Sequence, residues 1–257
     1  MLLCAAKVNE LKKIKVGAVS YLNTKPYLWG LTHSAIAQEI ELTIDYPARI
    51  AQGLTDGSLD IGLIPVAVLP ELPSYHFVCD YGIACDGEVA SVALFSEVPL
   101  GEIQTIQLDY QSRTSVALLR ILLKKHWKIQ PELQNTHPGE EPKIEGSRAA
   151  LLIGDRALIQ RSKSRYVYDL GLAWKEMTGL PFVFAAWVSR EKLEDRFGHE
   201  FSAALELGVE KKNDLLDSYK NHFYDLRKYF SENIVFRIGV AEKKGLSSFL
   251  DLLKLIQ

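Results

Sequence analysis

The run Leu59-Asp60-Ile61-Gly62-Leu63-Ile64-Pro65 places the strongest limit on what this chain can fold into. It is too short for a buried helix and almost unbroken in apolar character. A strand of that kind must be covered on both faces, which is the situation of a parallel sheet flanked by helices. What precedes it agrees. Residues 14–19 read as a short buried strand, and a helix is expected from near Thr24. A second strand follows at 41–45, then a helix at 48–55 with Pro47 in its first turn and Asp56-Gly57 at its end. This β-α-β-α-β order predicts a doubly wound layer with right-handed crossovers.

The alternation then resumes. Residues 77–79, 82–84 and 90–95 read as strands, and 103–108 begins a second α/β series. There, Ser112-Arg113-Thr114-Ser115 precedes an amphipathic run at 116–123. A strand at 149–153 runs into Gly154-Asp155-Arg156, a late strand occupies 182–188, and the pattern from Glu191 onward is helical. Extended crossings near 92–96 and 183–188 predict two lobes around a cleft. One comprises 1–93 with 188–257, so that the C-terminal helices return to it, and the other comprises 94–187. Ligands of such folds lie between the lobes, at carboxyl ends of strands and N-termini of helices.

Composition narrows the class of partner. The 257 residues are 47% hydrophobic and 24% charged, with a net charge of −2, as in an ordinary globular protein with no electrostatic case for nucleic acid or membrane. Lysine pairs such as Lys124-Lys125 read as solvated helix faces. The odd cysteine count (Cys4, Cys79, Cys85) has no metal-ligand spacing, and although Cys79 and Cys85 could pair, a reducing compartment is expected. Met1-Leu2-Leu3-Cys4 superficially resembles a lipoprotein cleavage site but lacks a basic start and a long apolar run, so no signal peptide and a cytoplasmic location are expected. No G-x-G-x-x-G, Walker A, G-x-S-x-G, H-E-x-x-H or C-x-x-C sequence occurs, and the six histidines are isolated. The expectation is a binding protein, or an enzyme that works by positioning a reactive substrate, with no metal and no cofactor.

Two polar strand-to-helix turns would supply the site. Ser20, Tyr21, Asn23 and Thr24 lie between the first strand and a helix with Pro26 at its start, and Thr114 and Ser115 open the later helix. Helix N-termini present unpaired N–H groups and partial positive charge, so each turn suits a carboxylate. Each residue also has a plainer reading. Asn23, Thr114 and Ser115 would serve as ordinary caps, Ser91 as a buried small residue, and Asp155-Arg156 as an ion pair or turn. Arg113 would be exposed, and Tyr21, Tyr27 and Trp174 would pack in the core.

Six collinear motifs narrow these alternatives: S-Y-L-N-T-K-P-Y at 20–27, D-G-S-L-D-I-G-L-I-P-V-A-V-L at 56–69, G-E-V-A-S-V-A-L-F-S at 87–96, D-Y-Q-S-R-T-S-V-A-L-L-R at 109–120, L-L-I-G-D-R-A-L at 151–158 and Y-D-L-G-L-A-W-K-E-M-T-G-L-P-F-V-F-A at 168–185. Together they resemble the chorismate dehydratases of the futalosine route to menaquinone, over most of the chain from about 14 to 190. The resemblance implies an α/β, two-lobe periplasmic-binding-protein-like (type II) fold with a central ligand cleft. It also implies loss of water from chorismate to give 3-[(1-carboxyvinyl)oxy]benzoate. The sister 1,4-dihydroxy-6-naphthoate synthases share the fold but usually open with an S-P-C-P-N-D-type segment, which 20–26 does not resemble. A non-catalytic solute-binding protein is the remaining alternative.

By motif, the resemblance maps the family's site residues onto Asn23 and Ser91, the candidate catalytic side chains. Ser20, Tyr21, Thr24, Thr114, Ser115 and Asp155 are the candidate substrate contacts. Neither Asn23 nor Ser91 has a pKa suited to removing a proton at neutral pH, so both are expected to hydrogen-bond the departing hydroxyl or developing charge. The base would be the substrate's own enolpyruvyl carboxylate. One departure stands out: Glu88 occupies a position where other members often have Pro, and with Asp86 it makes that loop acidic beside an anionic ligand. The oligomeric state is left open.

Overall fold

A computed structural model describes residues 13–216, 219 and 223–256; Cys4, His222 and the opening residues lie outside this range. β1 (Ile14–Val19) leads through a tight turn into α1 (Lys25–His33), followed by β2 (Ile40–Asp45), α2 (Pro47–Asp56), β3 (Ile61–Pro65) and β4 (His76–Cys85). β5 (Val92–Ser96), β6 (Thr105–Leu108), α3 (Arg113–Leu122), β7 (Glu132–Asn135), β8 (Arg148–Ile153), α4 (Gly154–Gln160) and β9 (Tyr166–Asp169) come next. Then α5 (Leu170–Thr178), β10 (Phe182–Ser189), α6 (Asp195–Glu210), α7 (Leu226–Lys228), β11 (Val235–Arg237) and α8 (Val240–Lys254) complete the order.

The strands form a six-stranded sheet, β11-β4-β10-β3-β1-β2, and a five-stranded sheet, β7-β6-β8-β5-β9. In the first, β1 is parallel to β2 and β3, as the β-α-β-α-β reading requires, and every residue of β3 is buried. β10 enters antiparallel between β3 and β4. In the second sheet β6 runs parallel to β7 and β8, whereas β5 is antiparallel to β8 and β9. Both sheets are therefore mixed, because the chain enters and leaves each of them by a returning strand.

Several boundaries differ from the sequence reading for identifiable reasons. The strands expected at 77–79 and 82–84 are one strand, β4, whose register slips against β10 bend it without ending it. β5 belongs wholly to the second sheet and β10 wholly to the first, so the chain passes between sheets in 86–91 and 170–181, not within those two strands. The half-exposed strands β7, β9 and β11 carry no long apolar run and were not foreseen. Among the described residues no helix is long and apolar enough to cross a membrane.

Cys79 and Cys85 are free thiols. Both lie on β4, six residues apart, a separation of roughly 20 Å in an extended strand, far beyond disulfide reach. Burial pushes the Cys79 thiol up to about 12. Tyr27 and Trp174 are core residues: the Tyr27 hydroxyl donates to the carbonyls of Gly82 (2.6 Å) and Phe236 (3.0 Å), and Trp174 Nε1 donates to Pro181 O at 3.1 Å.

The start of α1, which carries the first polar turn, is held by α6. A Cβ at Gly30 would lie 1.9 Å from the carbonyl oxygen of Ala204, and one at Gly208 would lie 1.9 Å from that of Pro26. The two helices therefore touch backbone to backbone, and only glycine fits at the contact. Because rigid backbone would have to move, Gly208→Ala is expected to lower the unfolding free energy by about 1–3 kcal/mol or more, read as a lower urea midpoint at unchanged m-value.

Candidate active site

The carboxyl ends of β1 and β3 face the starts of α3 and α4 across a small cavity of about 60 Å³. Val19, Tyr21 and Asn23 line it from the first sheet, and Ser112, Ser115 and Gly154 from the second. That volume is well below the roughly 300–1,000 Å³ of small-molecule sites, so a ring-sized ligand requires the two sides to part. Three hydrogen bonds hold them together near the cavity. The Tyr21 hydroxyl donates to Gln111 Oε1 (2.6 Å), the Leu22 N–H to Asp155 Oδ1 (3.0 Å), and the Ala67 N–H to Thr114 Oγ1 (3.1 Å).

Local sequence explains these placements. Ser112 caps α3, its hydroxyl oxygen accepting from the Ser115 N–H at 3.1 Å while its own proton goes to Ser115 Oγ at 2.8 Å. Gly154 opens α4 at φ +62°, and a Cβ there would meet the Tyr21 ring at 2.9 Å. A glycine is thus required for the second side to approach the first polar turn this closely.

The candidate residues separate into distinct groups. Tyr21, Asn23 and Ser115 are in the cavity wall. Thr24 is fully buried behind it, its hydroxyl donating to Asn23 Oδ1 at 3.1 Å, which leaves the Asn23 amide N–H groups to point elsewhere. Ser20 is exposed, and the Thr114 hydroxyl is occupied by Ala67. Asp155 is engaged by the Leu22 N–H, so it joins the two sides. Arg156 is a structural partner, with Nη2 contacting both oxygens of the buried Asp109 at 2.7 and 2.6 Å. Arg113 is exposed and forms a fork to Glu71.

Ser91 has the most unusual setting. Its N–H donates to Val89 O at 2.7 Å, closing a three-residue γ-turn with Ala90 at φ +61°, and its carbonyl accepts from the Gly154 N–H at 2.8 Å. A non-glycine residue in such a turn costs on the order of 1–3 kcal/mol, and such strain clusters at functional sites. Ser91 is not among the residues that line the cavity, and its hydroxyl is buried. Beside it and beside Asn23 stands the phenol of Tyr229, fully buried, whose pKa burial raises above its ordinary value. The acidic loop does not face this cavity: Glu88 pairs with Arg161 and Lys228, and Asp86 pairs with Lys175.

Tyr229 was not foreseen, because it sits in a C-terminal stretch with no pattern beyond helical. Asp169 was not foreseen either, although an acid directly before Leu170-Gly171-Leu172 is a helix N-cap signal. Its carboxylate accepts from the N–H groups of Val89, Ala90, Gly171 and Leu172 and pairs with Arg161.

Burial raises the Asp155 pKa, a rise opposed in part by the Leu22 N–H and Lys25. The folded state therefore holds this proton more tightly than the unfolded chain does, and ionisation works against the fold. The stability associated with protonated Asp155 is present at low pH and lost as pH rises through the raised folded value. Asp155→Asn keeps an oxygen for the Leu22 N–H without the charge. It is expected to melt above the parent at neutral pH, the gap closing as pH falls into the ordinary carboxylate range, as read by thermal unfolding against pH.

Known proteins share this fold and this sequence family. The fold is shared at low identity with an Archaeoglobus fulgidus protein (TM-score 0.75, 13% identical, 95% of this chain and 97% of that one). It is also shared with the alkanesulfonate-binding protein of Xanthomonas axonopodis pv. citri (TM-score 0.64, 12% identical, 95% and 93%). A Candida albicans gene product described as having the generic periplasmic binding protein structural fold also matches (TM-score 0.66, 11% identical, 96% and 90%), so the fold is periplasmic-binding-protein-like. In sequence, the chain is 30% identical over 195 residues to a chorismate dehydratase of Thermus thermophilus, covering 69% of this chain and 70% of that one. A chorismate dehydratase of Campylobacter jejuni is 25% identical over 170 residues, covering 63% and 74%. The family model described as menaquinone biosynthesis matches residues 14–254, and the chain belongs to that family.

Proposed function

We propose that this chain is a chorismate dehydratase, a hydro-lyase acting in the cytoplasm on the futalosine route, with 3-[(1-carboxyvinyl)oxy]benzoate as product. The observation that carries this reading is the cavity between the two sheets walled by Tyr21, Asn23 and Ser115, with the Tyr229 phenol linking Asn23 to the buried Ser91 hydroxyl in its strained turn. The chorismate dehydratase relatives supply the substrate. The free thiols of Cys79 and Cys85 suit a reducing compartment.

Chorismate carries two carboxylates, a C4 hydroxyl and an acidic proton at C3. One carboxylate is assigned to the first turn of α3 beside Ser115, where N–H groups and the helix dipole favour an anion. The other lies over the ring toward Asn23. The C3 proton passes to the enolpyruvyl carboxylate, the electron pair of the C3–H bond forms the C3–C4 double bond, and the C4–O bond breaks. The departing hydroxide takes that proton back from the enolpyruvyl carboxyl group and leaves as water, the carboxylate is regenerated, and the ring becomes aromatic. The protein's part is to hold the carboxylate over C3 and to stabilise charge as it moves. The Asn23 amide and the Ser91 hydroxyl donate to the leaving oxygen, with Tyr229 fixing both.

Purified protein incubated with chorismate is expected to yield a product lighter by one water, detected by mass. Asn23→Ala and Ser91→Ala are each expected to lower kcat by about 10²–10³, the usual loss when one preorganised donor is removed. Unchanged chorismate, or near-normal turnover in both variants, would overturn the reading.

A further inference from the structure

We infer that Arg161 and Asp169 act as positioning residues for Ser91, clamping the strained Val89-Ala90-Ser91 turn so that its hydroxyl is held at a set angle beside Tyr229 and Asn23. The inference rests on the role given to Ser91 above. Three observations carry it. Ala90 is a non-glycine residue at φ +61°, a conformation that an alanine does not keep unless its surroundings impose it. Both amide groups ahead of Ser91 are taken by one buried carboxylate: Val89 N–H donates to Asp169 Oδ1 at 3.0 Å and Ala90 N–H to Oδ2 at 2.8 Å. The Ala90 carbonyl is taken by Arg161 Nη1 at 3.1 Å, and the same nitrogen lies 3.3 Å from Asp169 Oδ2.

The guanidinium therefore closes a ring around the turn: carbonyl, guanidinium, carboxylate, amide. Its other nitrogen pairs with Glu88, and Glu88 O in turn accepts from Asn233 Nδ2 at 3.0 Å, tying the turn to the segment that carries Tyr229. Every backbone group that could relax Ala90 toward negative φ is thereby engaged. Arg161 and Asp169 contact the turn and not the cavity, so both are positioning residues. Their effect is transmitted through the angle at which Ser91 leaves the turn.

Three variants test this: Arg161→Gln, Arg161→Gln with Ala90→Gly, and Ser91→Ala. Arg161→Gln is expected to lower kcat on chorismate by about 10–100-fold, because a displaced catalytic group is costly even when substrate still binds. Its KM should stay within about twofold, the pattern of an interaction made in the transition state alone. Glycine adopts φ +61° without strain, so adding Ala90→Gly should restore most of the lost kcat. Thermal unfolding of each variant separates this from stability: a structural salt bridge would lower the melting temperature while leaving kcat per folded molecule unchanged.

If Arg161→Gln does not fold, Arg161→Lys takes its place, since an ammonium cannot engage Ala90 O, Asp169 and Glu88 as the planar fork does. Normal kcat in the arginine variant while Ser91→Ala is impaired overturns the clamp alone. The absence of any recovery with Ala90→Gly overturns it too. Normal turnover in Ser91→Ala removes the role of Ser91 itself, and the clamp with it.

Discussion

The carboxylate of Asp169 is the point on which the arrangement of the two sheets depends. It stands at the end of β9, where the chain turns back toward the first sheet, and caps α5 through the N–H groups of Gly171 and Leu172. With its remaining capacity it holds Val89 and Ala90, in the segment that leaves the first sheet. One side chain thus ties the outward and the returning passage to each other. Burying a carboxylate costs several kcal/mol, and burial does raise the Asp169 pKa. Hydrogen bonds to a charged group are worth about 1.5–3 kcal/mol each, and the four amides and Arg161 gathered on it offset that cost in part.

From that knot the site follows. The passage at 86–91 delivers Ser91, and the start of α4 delivers Gly154, whose N–H takes the Ser91 carbonyl. On the facing side, α6 sets the position of α1 through Gly30 and Gly208 and so places Asn23. Across the cleft run the contacts of Tyr21 to Gln111, Leu22 to Asp155, Ala67 to Thr114 and the fork of Arg113 to Glu71, and one apolar core spans both sheets.

Much of this was legible in advance. The apolar run of β3, the parallel pairing around β1 and the two polar turns all rest on local pattern, and the motifs spanning 20–185 pointed to the family to which the chain belongs. Less legible was which hydroxyl of a polar turn reaches the cavity. Thr24 and Thr114 have the right chemistry and the right neighbours, yet one supports Asn23 and the other accepts from Ala67. A one-residue step along a helix start turns a side chain by about 100°, so neighbouring candidates with identical chemistry take different roles. Asp86 and Glu88 looked like a local excess of negative charge, but their cations, Lys175, Arg161 and Lys228, come from distant parts of the chain.

The sequence by itself determined the two α/β layers, the family and the two polar turns, because hydrophobic period, helix caps and motif order are properties of neighbouring residues. Only the tertiary structure decided that Ser91 sits beyond a strained alanine, with Tyr229 beside it and Asp169 and Arg161 behind it. Arg161, Asp169 and Tyr229 lie 70, 78 and 138 positions from Ser91. No local preference encodes such a meeting, and a positive φ at Ala90 runs against what alanine would choose alone. It exists because long-range hydrogen bonds outweigh a local cost, a balance struck only once the chain has folded.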